Sequence, residues 1–302
     1  MSGGHAVLVG ATASGKSALA LELARRDSSW ELVTVDSMQV YRGMDIGTAK
    51  PTPAERAEVP HHLLDLLHPW EEGTVAWFQR EAQAAVAAIE GRGHRALLVG
   101  GTALYVQAVV DDLDIPGRFA EVRATLEDDP DTGALHQRLA GVDSVAAARI
   151  EPGNRRRILR ALEVTLGSGR PFSSFGPGLD RFPTTPFTML GLSRGRDDLH
   201  ARIAVRYEQQ MADGFLEEVI RLRAEPRGFS RTAGQALGYK ELGGHLDGSC
   251  SLDGALEVAV RRTRRFARRQ WAWFRRDPRI TWVEVPVGDD NLLVDTAAAA
   301  VG

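Results

Sequence analysis

The chain has 302 residues, 43% hydrophobic and 25% charged, with a formal net charge of −3, which is the make-up of one large or two modest soluble domains. No apolar run approaches the roughly 18 residues of a membrane span, and no basic segment followed by an apolar one marks a secretory leader. The single cysteine, Cys250, excludes a disulfide framework within the chain and fits a reducing cytoplasm; the eight histidines, His61 and His62 being adjacent, show no zinc spacing.

The first apolar run, residues 6–9, predicts a buried strand. It leads straight into Gly10, Ala11, Thr12, Ala13, Ser14, Gly15, Lys16 and Ser17, which fit G-x-x-x-x-G-K-[ST] without a mismatch. A helical pattern follows over 17–26. Strand, glycine-rich loop and helix N-terminus in that order make a phosphate cradle. The loop amides and the helix dipole attract an anion. Lys16 adds a compact charge for terminal phosphates, and the Ser17 hydroxyl can ligate Mg²⁺. A nucleotide or a diphosphate would suit the motif equally. The plainer alternative is an ordinary glycine-rich turn with Lys16 in solvent.

Residues 31–35 predict a second strand, 75–90 a helix and 96–99 a third strand. Strands alternating with helices indicate an α/β parallel sheet. Ligands in such sheets sit at the carboxyl ends of the strands, so the residues following each strand carry the chemistry. The second strand is followed by Asp36, Ser37, Met38 and Gln39, the third by Gly100, Gly101 and Thr102. Beside a bound phosphate, Asp36 either ligates Mg²⁺ through water or takes a proton; otherwise it is a helix N-cap. Gly100 and Gly101 either admit a ligand close to the backbone or form a plain tight turn.

From about residue 111 the texture changes to short helical patterns at 121–126, 133–140, 144–149 and 154–166. The last carries Arg155, Arg156, Arg157 and Arg160. A stretch rich in Gly, Pro, Ser and Phe follows over 167–186. The division expected is an α/β core of residues 1–114 and 186–302, interrupted by a helical insertion of residues 115–185. Beyond the insertion come strand patterns at 187–192 and 280–285 and a helical pattern over 200–224. The tail, 289–302, is polar and then alanine-rich and is expected to fray. Lys16, Lys50 and Lys240 are the only lysines. Between Arg261 and Arg276 stand eight arginines and no acid, interleaved with Gln270, Trp271, Trp273 and Phe274. Such a stripe is either the footprint of a nucleic-acid backbone or a solvated helix face. The cluster at 155–160 favours a polyanion.

Taken together, these motifs resemble the tRNA dimethylallyltransferase family, whose members prenylate an adenosine beside the anticodon. The matching segments are the phosphate loop, the run from Asp36 to Pro51 (the most specific), and the segments beginning at Pro60, Val99, Arg157 and Gln235, with the basic segment ending at Phe274. Ala11 departs from the Pro expected in the family's loop, and Gln235 and Lys240 stand where Arg is frequent. The resemblance implies a P-loop, NTPase-like parallel-sheet core with a helical tRNA-binding insertion. It implies transfer of a dimethylallyl group from dimethylallyl diphosphate to the exocyclic nitrogen of adenosine, with Mg²⁺ and release of diphosphate from the loop that elsewhere binds ATP. Asp36 would be the general base and Thr102 a hydrogen-bonding partner. Ser37, Met38 and Gln39 would read the extruded adenine. Arg123, Arg156, Arg157 and Arg160 would hold the anticodon stem-loop, with further contacts from Gln235, Gly238, Tyr239 and Lys240. A cytoplasmic monomer with no membrane partner is expected. Two rivals share some of these features. A small-molecule kinase using ATP would need an acid at the third strand tip, which ends Gly-Gly-Thr. A non-catalytic RNA-binding module gives no reason for Lys16, Ser17 and Asp36 together.

Overall fold

The computed structural model describes residues 4–176, 178–285 and 290–301. The chain divides into two compact units, Met1–Asp111 with Thr184–Gly302, and Asp112–Pro183.

The first unit opens with β1 (Ala6–Gly10), α1 (Lys16–Arg26), β2 (Trp30–Val35), α2 (Pro53–Glu58), β3 (His61–His62), α3 (Val75–Gly91), β4 (Arg95–Gly100) and α4 (Ala103–Val110). Every residue of β1 and β2 is buried, as expected of parallel strands covered on both faces. The strands alternate between two cores. Val7, Val9, Val33 and Val35 join Phe78 of α3 and Val106 of α4 on one face. Ala6, Leu8 and Leu32 join Leu19 and Leu23 of α1 on the other. Helix starts follow local chemistry. Thr52 and Glu55 form a reciprocal capping box at α2, and Thr74 accepts from the Trp77 N–H at α3.

The second unit holds α5 (Ala120–Glu127), α6 (Thr132–Val142), α7 (Ser144–Arg149) and α8 (Arg155–Ser168). Asp131, Asp143 and Asn154 cap the last three. The helices bury a separate core that includes Leu126, Leu135, Leu139, Ile158 and Leu162.

The first unit resumes with β5 (Thr188–Ser193), α9 (Arg196–Ala212), α10 (Phe215–Arg223), α11 (Tyr239–Leu246), α12 (Leu252–Phe274), β6 (Thr281–Glu284) and α13 (Asp290–Val301). The sheet has the order β3-β2-β4-β1-β5-β6, and every pairing in it is parallel.

Several expectations need correcting. The helix expected over 200–224 is two helices, broken where Gly214 takes a left-handed φ of 96°. The tail does not fray over its described part. It forms α13, with Leu293, Val294, Ala297 and Val301 buried and Asp295 paired to Arg26 at 2.5 Å; residues 289 and 302 lie outside the described residues. The two-residue β3 is too short to show a period, and α4 is buried from Tyr105 to Val110, so it has no amphipathic stripe to read.

At the start of β2, buried Glu31 receives Arg92 at 3.1 and 2.7 Å, with His62 Nε2 at 2.7 Å and His94 Nδ1 at 2.9 Å. The Arg92 guanidinium, aided by His62, holds this carboxyl at about 2 against burial that pushes it up. The depressed acid stabilises the fold fully above its unfolded value and loses that contribution as pH falls through the folded one. Between pH 5 and pH 2, unfolding free energy should therefore drop by about 3 kcal/mol through this group. Urea titrations should show a correspondingly shallower acid limb in Glu31→Gln; an unchanged limb would refute the assignment.

Candidate active site

Register brings three strand tips to one edge. Val9 of β1 and Val35 of β2 both pair with Gly100 of β4, so Gly10, still paired with Leu192 of β5, lies level with Asp36 and Gly101 where β2 and β4 end. Gly100 permits this crossing, because a Cβ there would lie 2.1 Å from the Val35 carbonyl oxygen.

The loop after β1 turns through left-handed Ala13 and Gly15, at φ 63° and 101°, and Gly15 starts α1 with no side-chain cap. Its first-turn amides are thereby left for an anion. Lys16 is buried, and its ammonium donates to the Ala11 carbonyl at 2.7 Å. Burial lowers it to about 8, with the Asp36 carboxylate pulling the other way. The Ser14 hydroxyl is buried with no hydrogen-bond partner, and Ser17 is exposed in the first helical turn.

Residues distant in sequence complete this loop. Arg194 Nε donates to the Ser14 carbonyl at 3.2 Å, Arg202 Nε to the Ala13 carbonyl at 3.0 Å, and Arg206 Nη1 to the Thr12 hydroxyl at 2.9 Å. Burial lowers Arg206 from its ordinary value. Gln270 of α12 accepts from the Thr12 N–H and donates to the Gly101 carbonyl, both at 2.8 Å. Sequence reasoning missed all four. Arg194 directly follows β5, so the strand-tip rule applied to that strand would have found it. Arg202 and Arg206 stand at i, i+4 on one helix face.

At the second tip, Asp36 Oδ1 accepts from the Met38 and Gln39 amides at 2.8 and 3.4 Å. Asp36 thus caps a tight turn and not the start of a helix. Burial raises Asp36 above its ordinary range, against those two amides and the charges of Lys16 and Arg206. The Ser37 N–H donates to the Thr102 hydroxyl at 3.3 Å, tying the second tip to the third. Gln39 donates to the carbonyls of Thr48 at 2.9 Å and Ala49 at 3.2 Å.

That loop is itself clamped. Glu218, 1% exposed, accepts from the amides of Asp45 and Ile46 at 2.9 Å and Gly47 at 3.2 Å, and from the Tyr239 hydroxyl at 2.5 Å. The Lys50 ammonium donates to the Tyr41 carbonyl at 2.5 Å, Asp45 at 2.8 Å and Asp65 at 2.6 Å; Arg56 also binds Asp65 at 2.6 Å. Neither Glu218 nor Lys50 stood out as functional in the sequence.

Among the other expected contact residues, Gln235 and Lys240 are exposed and bond each other at 3.1 Å. Gly238 and Tyr239 are buried. Tyr239 packs edge-on to Phe215, and burial, with Glu218 beside it, raises its phenol well above the ordinary value. In the second unit, Arg123 pairs with Glu127 at 2.7 Å, and Arg160 donates to Glu163, Gly117 and Pro116. Arg156 and Arg157 are exposed. Along α12, Arg262 pairs with Glu241 and Arg264 donates to the His200 carbonyl at 3.3 Å, while the other arginines between 261 and 276 are exposed.

A parallel sheet, a glycine-rich loop opening a helix, and a lysine at its mouth define a P-loop α/β protein. The family model IPP transferase matches residues 39–277. The chain is 49% identical to the tRNA dimethylallyltransferase of Nocardioides sp. over 97% of its length and 94% of that protein, and 48% identical to that of Geobacter sulfurreducens over 95% and 93%. Among solved structures, the tRNA isopentenylpyrophosphate transferase of Bacillus halodurans matches with a TM-score of 0.72 at 37% identity, covering 98% of this chain and 94% of that one. A eukaryotic dimethylallyltransferase acting on tRNA matches with a TM-score of 0.78 at 25% identity, over 98% and 76%. The chain belongs to the IPP transferase family of tRNA dimethylallyltransferases.

Lys50→Met should leave Asp45 and Asp65 without their shared cation. Both acids keep some solvent, so the loss is expected to be about 2–3 kcal/mol, below the full cost of breaking a buried pair. Thermal or urea unfolding measures it, and a change under about 0.5 kcal/mol would refute the clamp.

Proposed function

We propose that the chain transfers the dimethylallyl group of dimethylallyl diphosphate to the exocyclic N6 of the adenosine on the 3′ side of the tRNA anticodon, releasing diphosphate. The observation that carries this reading is the meeting, at one sheet edge, of an anion-binding loop with a buried lysine and a carboxylate raised toward neutrality.

The adenosine leaves its stack to reach that edge, which a single-stranded loop permits at small cost. The N6 lone pair forms a bond to C1 of the dimethylallyl group as the C1–oxygen bond breaks, and that electron pair departs on the diphosphate. Lys16, Arg206 and the first-turn amides of α1 oppose the growing charge there, an electrostatic stabilisation strongest in the transition state. Asp36 takes the N6 proton, since the amine's lone pair is delocalised into the purine and is a poor nucleophile until that proton leaves. Thr102 holds the second tip in place, while Ser37, Met38 and Gln39 frame the base.

Ser17 suits a Mg²⁺ held chiefly by the donor's own oxygens. Its hydroxyl is exposed at the loop, and among the described residues no group of three or more His, Cys, Asp or Glu could hold a metal. The ion would supply further charge neutralisation on the diphosphate. Arg123, Arg156, Arg157 and Arg160 supply cations on the helical unit suited to the anticodon stem-loop. No described helix is long and apolar enough to cross a membrane; a cytoplasmic location, where tRNA is at hand, is part of the proposal. A kinase reading has less support: the third tip offers Gly101 and Thr102, with no carboxylate for a nucleotide's metal.

Purified protein with Mg²⁺, unmodified tRNA and labelled dimethylallyl diphosphate should move label into RNA; transfer from labelled ATP to a metabolite instead would overturn the reading. Asp36→Asn retains an acceptor for the Met38 amide but removes the base. Its kcat should fall about 10²–10⁴-fold with tRNA binding held within a few-fold; near-normal turnover would sink the base assignment.

Lys16 is charged below about 8 and neutral above it. Calorimetric binding of inorganic diphosphate should therefore weaken as pH rises from about 7 to about 9.5. Lys16→Met should bind weakly at both values; a wild-type affinity flat across that range would count against Lys16 as the anion's partner.

A further inference from the structure

Gln270 stands inside the basic stripe but has no part in its charge. It lies on the buried side of α12 with Ala255, Ala259, Thr263, Ala267 and Phe274. The three alanines keep the helix close to what it packs on, and the Thr263 and Tyr207 hydroxyls, 2.9 Å apart, tie it to α9. Gln270 is the one long polar side chain on that side, and it is 5% exposed. Its Oε1 accepts from the Thr12 N–H and its Nε2 donates to the Gly101 carbonyl. These partners fix which way round the amide sits, since one needs an acceptor and the other a donor. Buried and engaged at both ends, the side chain does not itself face a substrate.

Gly101 belongs to the same arrangement. It is not one of the glycines with a left-handed φ, so backbone conformation does not require glycine there. A Cβ at this position would lie 2.3 Å from Gln270 Nε2. The missing side chain therefore makes room for the amide. Beyond the last ladder pair, Val9 with Gly100, no other hydrogen bond among the described residues joins the loop after β1 to the loop after β4.

We infer that Gln270 is a positioning residue for the transfer: by holding the phosphate loop to the third strand tip, it sets the reach from the departing diphosphate to the attacking nitrogen. The inference rests on the function proposed above. In that reaction the loop grips the leaving group, while the acceptor lies against Thr102, Ser37 and Asp36. Ser37 is bonded to Thr102, so a shift of the third tip carries the second with it. Displacement needs the bond-forming atoms about 3–3.5 Å apart, and a misplacement of about 1 Å costs on the order of 10²-fold in rate. A neutral amide sets that span without placing another charge beside Lys16 and Asp36.

The test is prenyl transfer by variants of the full chain. Gln270→Met keeps the length of the side chain and neither bond. Its kcat should fall about 10²-fold, with KM for both substrates and the affinity for inorganic diphosphate within about three-fold. Gln270→Glu probes the two bonds themselves. A protonated carboxyl accepts and donates as the amide does, whereas an ionised one only accepts. The ratio of its kcat to that of wild type should therefore rise several-fold as pH falls from about 8 to about 5.5, while the Gln270→Met ratio stays flat. Gly101→Ala should match Gln270→Met in the wild-type chain, yet cost under about three-fold in Gln270→Ala, where no amide is left to displace. A loss confined to KM or to diphosphate affinity would overturn the inference in favour of a part in binding alone. A Gln270→Glu ratio flat with pH, or Gly101 and Gln270 losses that simply multiply, would overturn it as well, leaving the amide a packing group. Should Gln270→Met fold poorly, the Gln270→Glu profile and the Gly101 comparison decide. Wild type that moves no label into RNA would overturn the proposed function itself; active wild type without these ratios would overturn this inference alone.

Discussion

The site depends on one side-chain amide. Gln270 accepts from the Thr12 N–H with one atom and donates to the Gly101 carbonyl with the other. An amide is one of the few side chains that can do both at once. Strand pairing alone brings β1 and β4 side by side, but the loops beyond them have no ladder to hold them. Gln270 supplies that tie after the sheet has ended. The Ser37–Thr102 bond extends it to the β2 tip, so the three tips form one hydrogen-bonded rim.

Within that rim, burial works on opposite charges in complementary ways. It lowers Lys16 to about 8 and raises Asp36, so each group is brought nearer to the pH at which a proton can be exchanged. Their mutual attraction limits both shifts. Arg206 adds a third charge whose hydration is also largely removed. The pocket is thus polarised before any ligand arrives, the condition under which fixed charges act most strongly on a developing one. The second tip adds rigidity of another kind. Glu218 draws three successive loop amides onto one carboxylate, and Gln39 hangs from the carbonyls just beyond them.

What could be read in the sequence was what is local. The phosphate loop declares itself because its strand, glycines, lysine and helix are contiguous. The Asp36 tip was visible for the same reason, as was the helical stretch with its own caps. What escaped reading depends on side chains that travel. Gln270 sat inside an arginine run that drew attention to charge, and Lys50 was noted only as one of three lysines although its side chain is buried among two acids and a carbonyl. Tyr239 lay in a segment read for surface contacts, yet its ring belongs to the core. The two-helix corner at Gly214 was hidden because the apolar pattern runs on across it. The alanines of α13 suggested a loose end, yet Ala297 and Ala298 join the core that α1 lines, while Ala299 and Ala300 face solvent.

The corner at Gly214 lies between two sets of contacts. Before it, Arg202 and Arg206 serve the phosphate loop and Gln210 donates to the Ile46 carbonyl at 2.6 Å; after it, Glu218 accepts from the amides of residues 45–47. In one unbroken helix the twelve residues from Arg206 to Glu218 would lock these groups about 120° apart around a common axis. The left-handed glycine dissolves that phase relation, so each helix can be aimed on its own. A residue gained or lost at the bend would leave the arginines on the phosphate loop, whereas the same slip inside either rod would rotate its polar groups off target. Length variation among relatives should accordingly gather at this elbow.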